Sequence, residues 1–136
     1  MSRQEMIEHE FHDILLALSH LTLESSPKRE AEIHRTVLRF LTDCRIDSWQ
    51  IQKEFVAAQN RFDLLLVRDG MKIVIEIKRL AALNCLEQLD RYSVFANGLI
   101  VVCWKATDAF KKAFESAKHS IPIALIQLKQ RAPMLP

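Results

Sequence analysis

The sequence predicts a single α/β domain in which helices flank a mixed β-sheet, with its elements in the order ααβββαβαβ. Apolar residues recur at three- and four-residue steps in the first third of the chain, and short, nearly continuous apolar runs follow Asp47. Asp69-Gly70 separates two of these runs, and strand-like and helical segments alternate after them. A hairpin followed by such alternation implies antiparallel and parallel parts in one sheet, because βα crossovers place helices on its faces.

Composition narrows the class of protein. The chain has 136 residues, 49% of them hydrophobic, with two Gly and four Pro, which excludes collagen-like, low-complexity and disordered chains. The longest apolar runs, such as residues 98–104, are far shorter than the roughly 20 residues of a membrane-spanning helix. The N-terminus lacks the uninterrupted apolar centre of a secretory signal, so we expect a cytoplasmic protein with no membrane partner.

Cysteine count and net charge add little about function. Cys44, Cys85 and Cys103 are odd in number and widely spaced, so they fit neither a disulfide framework nor a CxxC zinc pattern, and we expect reduced, buried thiols. The net charge of +2 is too small to indicate a nucleic-acid partner by itself, because phosphate binding depends on a local basic face.

Two amphipathic helices are predicted first. The first spans Glu5 to Leu23, with an apolar stripe of Ile7, Phe11, Ile14, Leu15, Leu18 and Leu21. Ser25-Ser26 before Pro27 is typical of a helix start, because a proline in the first turn loses no hydrogen bond. The second helix then runs to about Arg45, and its buried stripe is Ile33, Val37, Phe40, Leu41 and Cys44.

The remaining elements alternate in type. The predicted strands are Trp49–Ala57, Phe62–Val67, Lys72–Lys78, Leu99–Trp104 and Ile121–Leu128. The predicted helices are Ala81–Ala96, which Asn97-Gly98 ends, and one capped by Thr107 or Asp108 that runs to Lys118. We expect one domain over 1–130, with an N-terminal helical extension at 1–24, a core at 27–128 and a loosely held tail at 131–136.

The hairpin register brings three ionisable residues together. In a hairpin centred between residues 69 and 70, Asp63 lies opposite Glu76. Alternation along the second strand places Glu76 and Lys78 on one face and Ile73, Ile75 and Ile77 on the other.

Two carboxylates held this close need something to offset their repulsion. Lys78 offers part of it, and such a pair is also a natural site for Mg²⁺ or Mn²⁺, which bind carboxylates, waters and phosphates. A metal there polarises a phosphoryl oxygen and acidifies a bound water. The alternative is that the three residues form a solvated strand face. Both strands are almost continuously apolar, which favours the functional interpretation, because buried acids need a partner.

The segments Arg61-Phe62-Asp63-Leu64 and Glu76-Ile77-Lys78 resemble the PD-(D/E)XK, or restriction-endonuclease-like, nuclease superfamily. The resemblance covers residues 27–128, where the element order also matches. It implies metal ligation by Asp63, Glu76 and the carbonyl of Ile77, and a catalytic role for Lys78. The chain departs from the pattern in having no proline before Asp63.

Further residues match subsets of that superfamily. Gln88 and Tyr92, one helical turn apart, are similar to the Gln-x-x-x-Tyr element of helicase-linked members, and this resemblance adds them to the catalytic candidates. The alternative is that they belong to a plain amphipathic helix. Glu32 resembles the helix glutamate that Holliday-junction-resolving members add to the metal site, and Glu30 competes for that role.

Basic pairs suggest contacts with phosphate groups. Arg35 and Arg39 lie one turn apart, and Lys111 and Lys112 form a cluster with Lys118 and His119. Ordinary surface charge explains either group almost as well. Other motifs carry no site: we interpret His9 and His12 as a solvated helix face, and Trp49 and Trp104 as packing residues.

The sequence therefore indicates a metal-dependent nuclease that hydrolyses phosphodiester bonds in DNA, including branched DNA, with RNA as a second possible substrate. By analogy it works as a homodimer. The alternative is a catalytically inactive nuclease-fold module that binds nucleic acid or protein. A small-molecule-binding α/β domain is disfavoured, because no Gly-rich phosphate loop follows a strand.

Overall fold

The computed structural model describes residues 1–43, 49–57, 60–117 and 119–132, with side chains omitted at 54–57 and 60–62. Its helices are α1 (Arg3–Leu18), α2 (Glu30–Asp43), α3 (Leu86–Phe95) and α4 (Asp108–Ser116), and a 3₁₀ turn spans Leu83–Cys85. Its strands are β1 (Thr22–Leu23), β2 (Gln50–Ala57), β3 (Asn60–Arg68), β4 (Met71–Ala81), β5 (Gly98–Ala106), β6 (Ile123–Gln127) and β7 (Lys129–Gln130).

A five-stranded sheet in the order β2-β3-β4-β5-β6 forms the centre of the molecule. Its first three strands are antiparallel, and β4, β5 and β6 run parallel. Helices α1 and α2 cover one face and α3 and α4 the other, so each face has its own apolar cluster. The predicted mixed sheet with flanking helices is confirmed. The short parallel pair β1 and β7 adds to the predicted order.

The β3–β4 hairpin turns where the sequence predicts it. Asp69 and Gly70 have φ angles of 49° and 78°, as both central residues of a type I′ turn require. Val67 pairs with Lys72 and, further along the ladder, Leu64 pairs with Ile75, which is the predicted register. The alternation is confirmed as well: the isoleucines of β4 pack with α1 and α2, and Val74 packs with α3 and α4.

Helix α1 is shorter than predicted. A capping box between Ser2 and Glu5 starts it at Arg3. It ends at Leu18, where the Ser19 hydroxyl donates to the carbonyl of Leu16 at 2.6 Å and offers the backbone an alternative to the helix. Leu21 is nevertheless buried in the same cluster from an extended segment, so its helical spacing misled the prediction.

Helix α2 begins at Glu30, three residues after the predicted proline start. The residues before it form a turn held by side chains: Glu32 accepts the Lys28 amide at 2.8 Å, and Arg79 Nε donates to the carbonyl of Pro27 at 2.9 Å. The bond from Arg79 joins residues 52 positions apart, so local sequence patterns do not predict it. The predicted end near Arg45, and Cys44 with it, lie outside the described residues.

Strand β4 continues beyond Lys78 to Ala81, because its parallel pairing with β5 persists to Ala81 and Ala106. The 3₁₀ turn follows, so α3 starts at Leu86 and not at the predicted Ala81. Thr107 caps α4 by accepting the Phe110 amide at 3.1 Å, as predicted. Residues 118 and 133–136 lie outside the description, and no helix in the described ranges is long and apolar enough to cross a membrane.

Candidate active site

Asp63 lies where the β3–β4 ladder ends. The last paired residues are Leu64 and Ile75. One residue beyond them, the Asp63 side chain replaces the backbone as the acceptor, and its Oδ2 accepts a hydrogen bond from the Ile77 amide at 2.8 Å. Its Oδ1 lies 3.2 Å from Nε2 of His34 on α2. The Asp63 carboxylate therefore has two partners, the backbone of β4 and the His34 imidazole of α2.

Glu76 lies inside the sheet, and only 3% of the surface of this residue is exposed to solvent. Lys78 Nζ lies 3.7 Å from Oε1, while Oε2 is buried and has no hydrogen-bond partner among the residues that the structure describes. Burial, reinforced by the charge of Asp63, raises the pKa of Glu76 to about 8, against the smaller opposing effect of Lys78. The neighbouring Asp63 side chain thus favours the protonated form of Glu76.

Tyr92 and Gln88 complete the cluster from α3. Tyr92 is fully buried and hydrogen-bonded to both Glu76 and Gln88. Burial and the neighbouring carboxylates raise the pKa of Tyr92 above its usual value, so the phenol stays protonated and donates to Glu76. The predicted helical spacing of Gln88 and Tyr92 thus directs them at the carboxyl pair.

The structure therefore brings together the predicted catalytic set: Asp63, Glu76, Lys78, Gln88 and Tyr92. The backbone of Ile77 lies between the two acids, since its amide already binds Asp63. Chemically, the arrangement provides two carboxyl groups, one ammonium group and a buried oxygen that lacks a partner.

Glu32 and Glu30, the predicted helix acids, are directed elsewhere. The Glu32 carboxylate accepts the Lys28 amide, and the Glu30 carboxylate accepts the Arg79 amide at 3.2 Å. Both bonds fasten the start of α2. Within the described residues, no three His, Cys, Asp or Glu side chains lie close enough to share a metal ion, so neither glutamate joins Asp63 and Glu76.

His34 is a residue of the site that the sequence analysis missed. It lies next to the buried position Ile33 and one turn after Glu30, on the helix that packs along β4. The sequence did offer a signal: His34 borders the apolar stripe of the second helix, and that stripe must pack against the sheet. Only the tertiary structure shows that its imidazole reaches Asp63.

The predicted basic residues are distributed over separate surfaces. Arg35 and Arg39 line an open groove of about 600 Å³, but Glu24, Glu32 and Asp43 line it as well, which balances the charge. Lys111 and Lys112 lie on α4, the first half-buried and the second exposed. The two pairs thus lie on different helices, α2 and α4.

The side chains interpreted as packing residues behave accordingly. Cys103 is fully buried, and burial raises its pKa to about 11, so it is a poor nucleophile. Trp49 is buried, and the Arg68 guanidinium lies 4.7 Å from its ring centroid.

The donor set fits a hard divalent cation. Mg²⁺ binds through one or two carboxylates and keeps several waters, and Asp63 and Glu76 supply such a pair beside the backbone of Ile77. The unpartnered Glu76 Oε2 is the observation in favour, since a buried carboxylate oxygen without a donor is costly unless a proton or cation satisfies it.

Comparison with known proteins supports the fold. No protein-family model matches the chain, and no curated protein matches it. Among solved structures, the chain is similar to the crystal structure of a repair endonuclease from Pyrococcus abyssi, with a TM-score of 0.53 and 21% sequence identity. The match covers 79% of this chain and 50% of that one, so this chain spans about half the length of its structural neighbour.

Proposed function

We propose that the chain is a metal-dependent nuclease that hydrolyses phosphodiester bonds in DNA. The observation that carries the proposal is the carboxyl pair Asp63–Glu76, in which a buried oxygen lacks a partner next to the Lys78 ammonium. The described fold is similar to that of a repair endonuclease, which supports DNA as the substrate. The resemblance of Asp63 and Glu76-Ile77-Lys78 to the PD-(D/E)XK pattern supports the same site.

The proposed cofactor is Mg²⁺, or Mn²⁺, held by Asp63, Glu76 and the carbonyl of Ile77. When bound, it would supply Lewis-acid stabilisation of the phosphoryl oxygens. Hydrogen bonds from Ile77 and Tyr92 orient the two carboxylates before substrate arrives. Such preorganised partners save the cost of arranging ligands at the moment of reaction.

Lys78 is the residue proposed to orient the attacking water. Its ammonium is held near Glu76 and is only half-buried, so it faces both the carboxyl pair and solvent. From that position it orients the attacking water and stabilises the negative charge that develops on the phosphate in the transition state.

Cleavage of defined substrates tests this proposal. Labelled single-stranded, duplex and four-way-junction DNA, and RNA, are incubated with the protein and Mg²⁺ or Mn²⁺. We expect metal-dependent cutting of DNA, which Lys78→Ala lowers by about 100-fold or more, as for loss of a group that assists proton transfer. Lys129→Ala, an exposed lysine on β7, is the matched control.

Two results would contradict the proposal. One is cutting that persists unchanged in Lys78→Ala and Asp63→Ala. The other is metal-independent binding that survives Asp63→Ala, with no cleavage of any substrate, which would favour the inactive nucleic-acid-binding module.

A further inference from the structure

A surface next to the candidate active site combines exposed leucines with a lysine. Leu80 and Leu83 expose 51% and 52% of their surface, although residues 73–77 of β4 are almost completely buried. Leu80 pairs with Lys105 of β5, which is also exposed. Registered neighbours in parallel strands project to the same side, so this leucine and lysine lie side by side. We call Leu80, Leu83 and Lys105 the carboxyl-end patch.

The patch lies close to the catalytic candidates. Leu80 follows Lys78 by two residues on the same strand, which corresponds to about 7 Å along β4. Both β4 and β5 end here, and in open α/β sheets ligands bind outside the carboxyl ends of parallel strands. A polymer whose scissile phosphate lies at Asp63 and Glu76 therefore reaches the patch with an adjacent nucleotide.

Single exposed leucines are common and need no explanation. Here two of them lie within four residues of each other and Leu80 lies beside a cation, so each part of that surface matches a different part of a nucleotide. The Lys105 ammonium attracts a phosphate. The leucines offer apolar contact to the face of a base, a contact that proteins also make when they insert leucine between base steps. A continuous duplex hides those faces in its base stack.

We infer that the carboxyl-end patch binds an unstacked nucleotide next to the scissile phosphate, which makes forked, frayed or single-stranded DNA the preferred substrate class of this site. The inference rests on the proposed nuclease function. Lys105 holds the neighbouring phosphate, and Leu80 and Leu83 cover the base face that the duplex no longer stacks.

Binding measurements without a metal test the inference separately from catalysis. Fluorescein-labelled forked, single-stranded and fully paired oligonucleotides are titrated with the full chain in EDTA, so that no cutting occurs. We expect wild-type protein to prefer forked over fully paired DNA. In the double variant Leu80→Ser with Leu83→Ser, the ratio of forked to fully paired affinity should fall by about tenfold, as for the loss of roughly one apolar side-chain contact. Both side chains are half-exposed, so the variant should fold, which a melting curve checks.

Matched controls distinguish the patch from general surface effects. Leu16→Ser changes a leucine of 54% exposure on α1, which covers the other face of the sheet. Lys105→Ala should reduce the slope of log affinity against log salt concentration by roughly 0.7 to 0.9, as for one lost phosphate contact. Arg3→Ala, a cation beside Gly70 at the opposite end of β4, should leave that slope unchanged.

Three outcomes overturn the inference. The first is an equal loss of DNA affinity in Leu16→Ser and in the Leu80/Leu83 double variant, and the second is an unchanged preference for forked DNA in the double variant. The third is that the double variant dissociates a dimer while its DNA affinity stays constant. If the protein binds forked DNA through the patch but cuts nothing, the nuclease proposal fails and only the binding preference assigned to the patch stands. If it cuts and the patch variants cut every substrate at the wild-type rate, only the inference fails.

Discussion

At the scale of single residues, the environment of Glu76 determines the chemistry available to the site. A carboxyl group with almost no solvent contact, next to a second acid, holds its proton up to a pH near 8. Glu76 is therefore protonated at neutral pH, whereas the Asp63 carboxylate accepts a hydrogen bond from the Ile77 amide.

Stability should depend on pH through Glu76. The pKa of Glu76 in the folded protein, about 8, lies above its ordinary value of 4.5. Its contribution to the free energy of unfolding is therefore complete below pH 4.5 and is lost as the pH rises through about 8. Each unit of separation corresponds to about 1.4 kcal/mol, so the loss is on the order of a few kcal/mol.

Urea unfolding in EDTA between pH 5 and 9 measures this loss. Glu76→Gln cannot ionise, so its free energy of unfolding should fall less across that range than that of the wild type. Glu115→Gln, at an exposed position on α4, should behave like the wild type. Parallel pH profiles for Glu76→Gln and wild type would show that Glu76 does not titrate in this range.

His34 should act on metal affinity through Asp63. Removing the imidazole with His34→Ala frees one carboxylate oxygen to rotate, and loss of such an outer partner typically costs 10- to 100-fold in metal affinity or activity. We expect the Mg²⁺ concentration for half-maximal cleavage to rise by about tenfold or more. His12→Ala, an exposed histidine on α1, is the control. A rise of the same size in the control would remove His34 from the site.

At the scale of elements, the β3–β4 hairpin positions the acids and the helices fasten them. The type I′ turn sets the register, and the ladder ends where Asp63 begins to bind the Ile77 amide. Helix α2 approaches from one face through His34, and α3 from the other through Tyr92. The site thus requires four elements to pack in one arrangement.

Close packing of α1 against β5 gives an element-scale prediction. A Cβ at Gly98 would lie 2.6 Å from Cδ2 of Phe11, too close for an atomic contact. Gly98→Ala should therefore destabilise the fold by about 1–3 kcal/mol, the usual cost of overpacking. Chemical denaturation measures it, and adding Phe11→Leu should recover part of the loss. A double variant no more stable than Gly98→Ala would show that the Phe11 ring is not the obstacle.

At the scale of the whole molecule, the proposed binding of a cation should be coupled to loss of the proton on Glu76. Below pH 8 a bound Mg²⁺ must displace that proton, so its affinity should rise about tenfold per pH unit up to that point and level off above it. Thermal melts with and without Mg²⁺ should show a shift that grows from pH 6 to 8. Calorimetry in two buffers should count about one proton released per metal at pH 6–7. A pH-independent shift would contradict the role of Glu76 as a ligand.

The element order, the turn and the hairpin register followed from the sequence alone. Hydrophobic spacing and the Asp69-Gly70 pair are local signals, and one turn sets the pairing of every residue in the ladder. The alternation that separates Glu76 and Lys78 from the isoleucines follows from the same register. The chemical roles assigned to these residues stay predictions.

The tertiary structure alone decided what surrounds the acids. Glu32 was the predicted helix ligand, with Glu30 as its competitor, and both side chains hydrogen-bond at the start of α2, while the unassigned His34 reaches Asp63. The unpartnered oxygen of Glu76 and the exposure of Leu80 also became visible only there. The physical reason is range: periodicity and turn chemistry act over a few residues, whereas burial and the contacts of Glu30 with Arg79 and of His34 with Asp63 depend on segments brought together from distant parts of the chain.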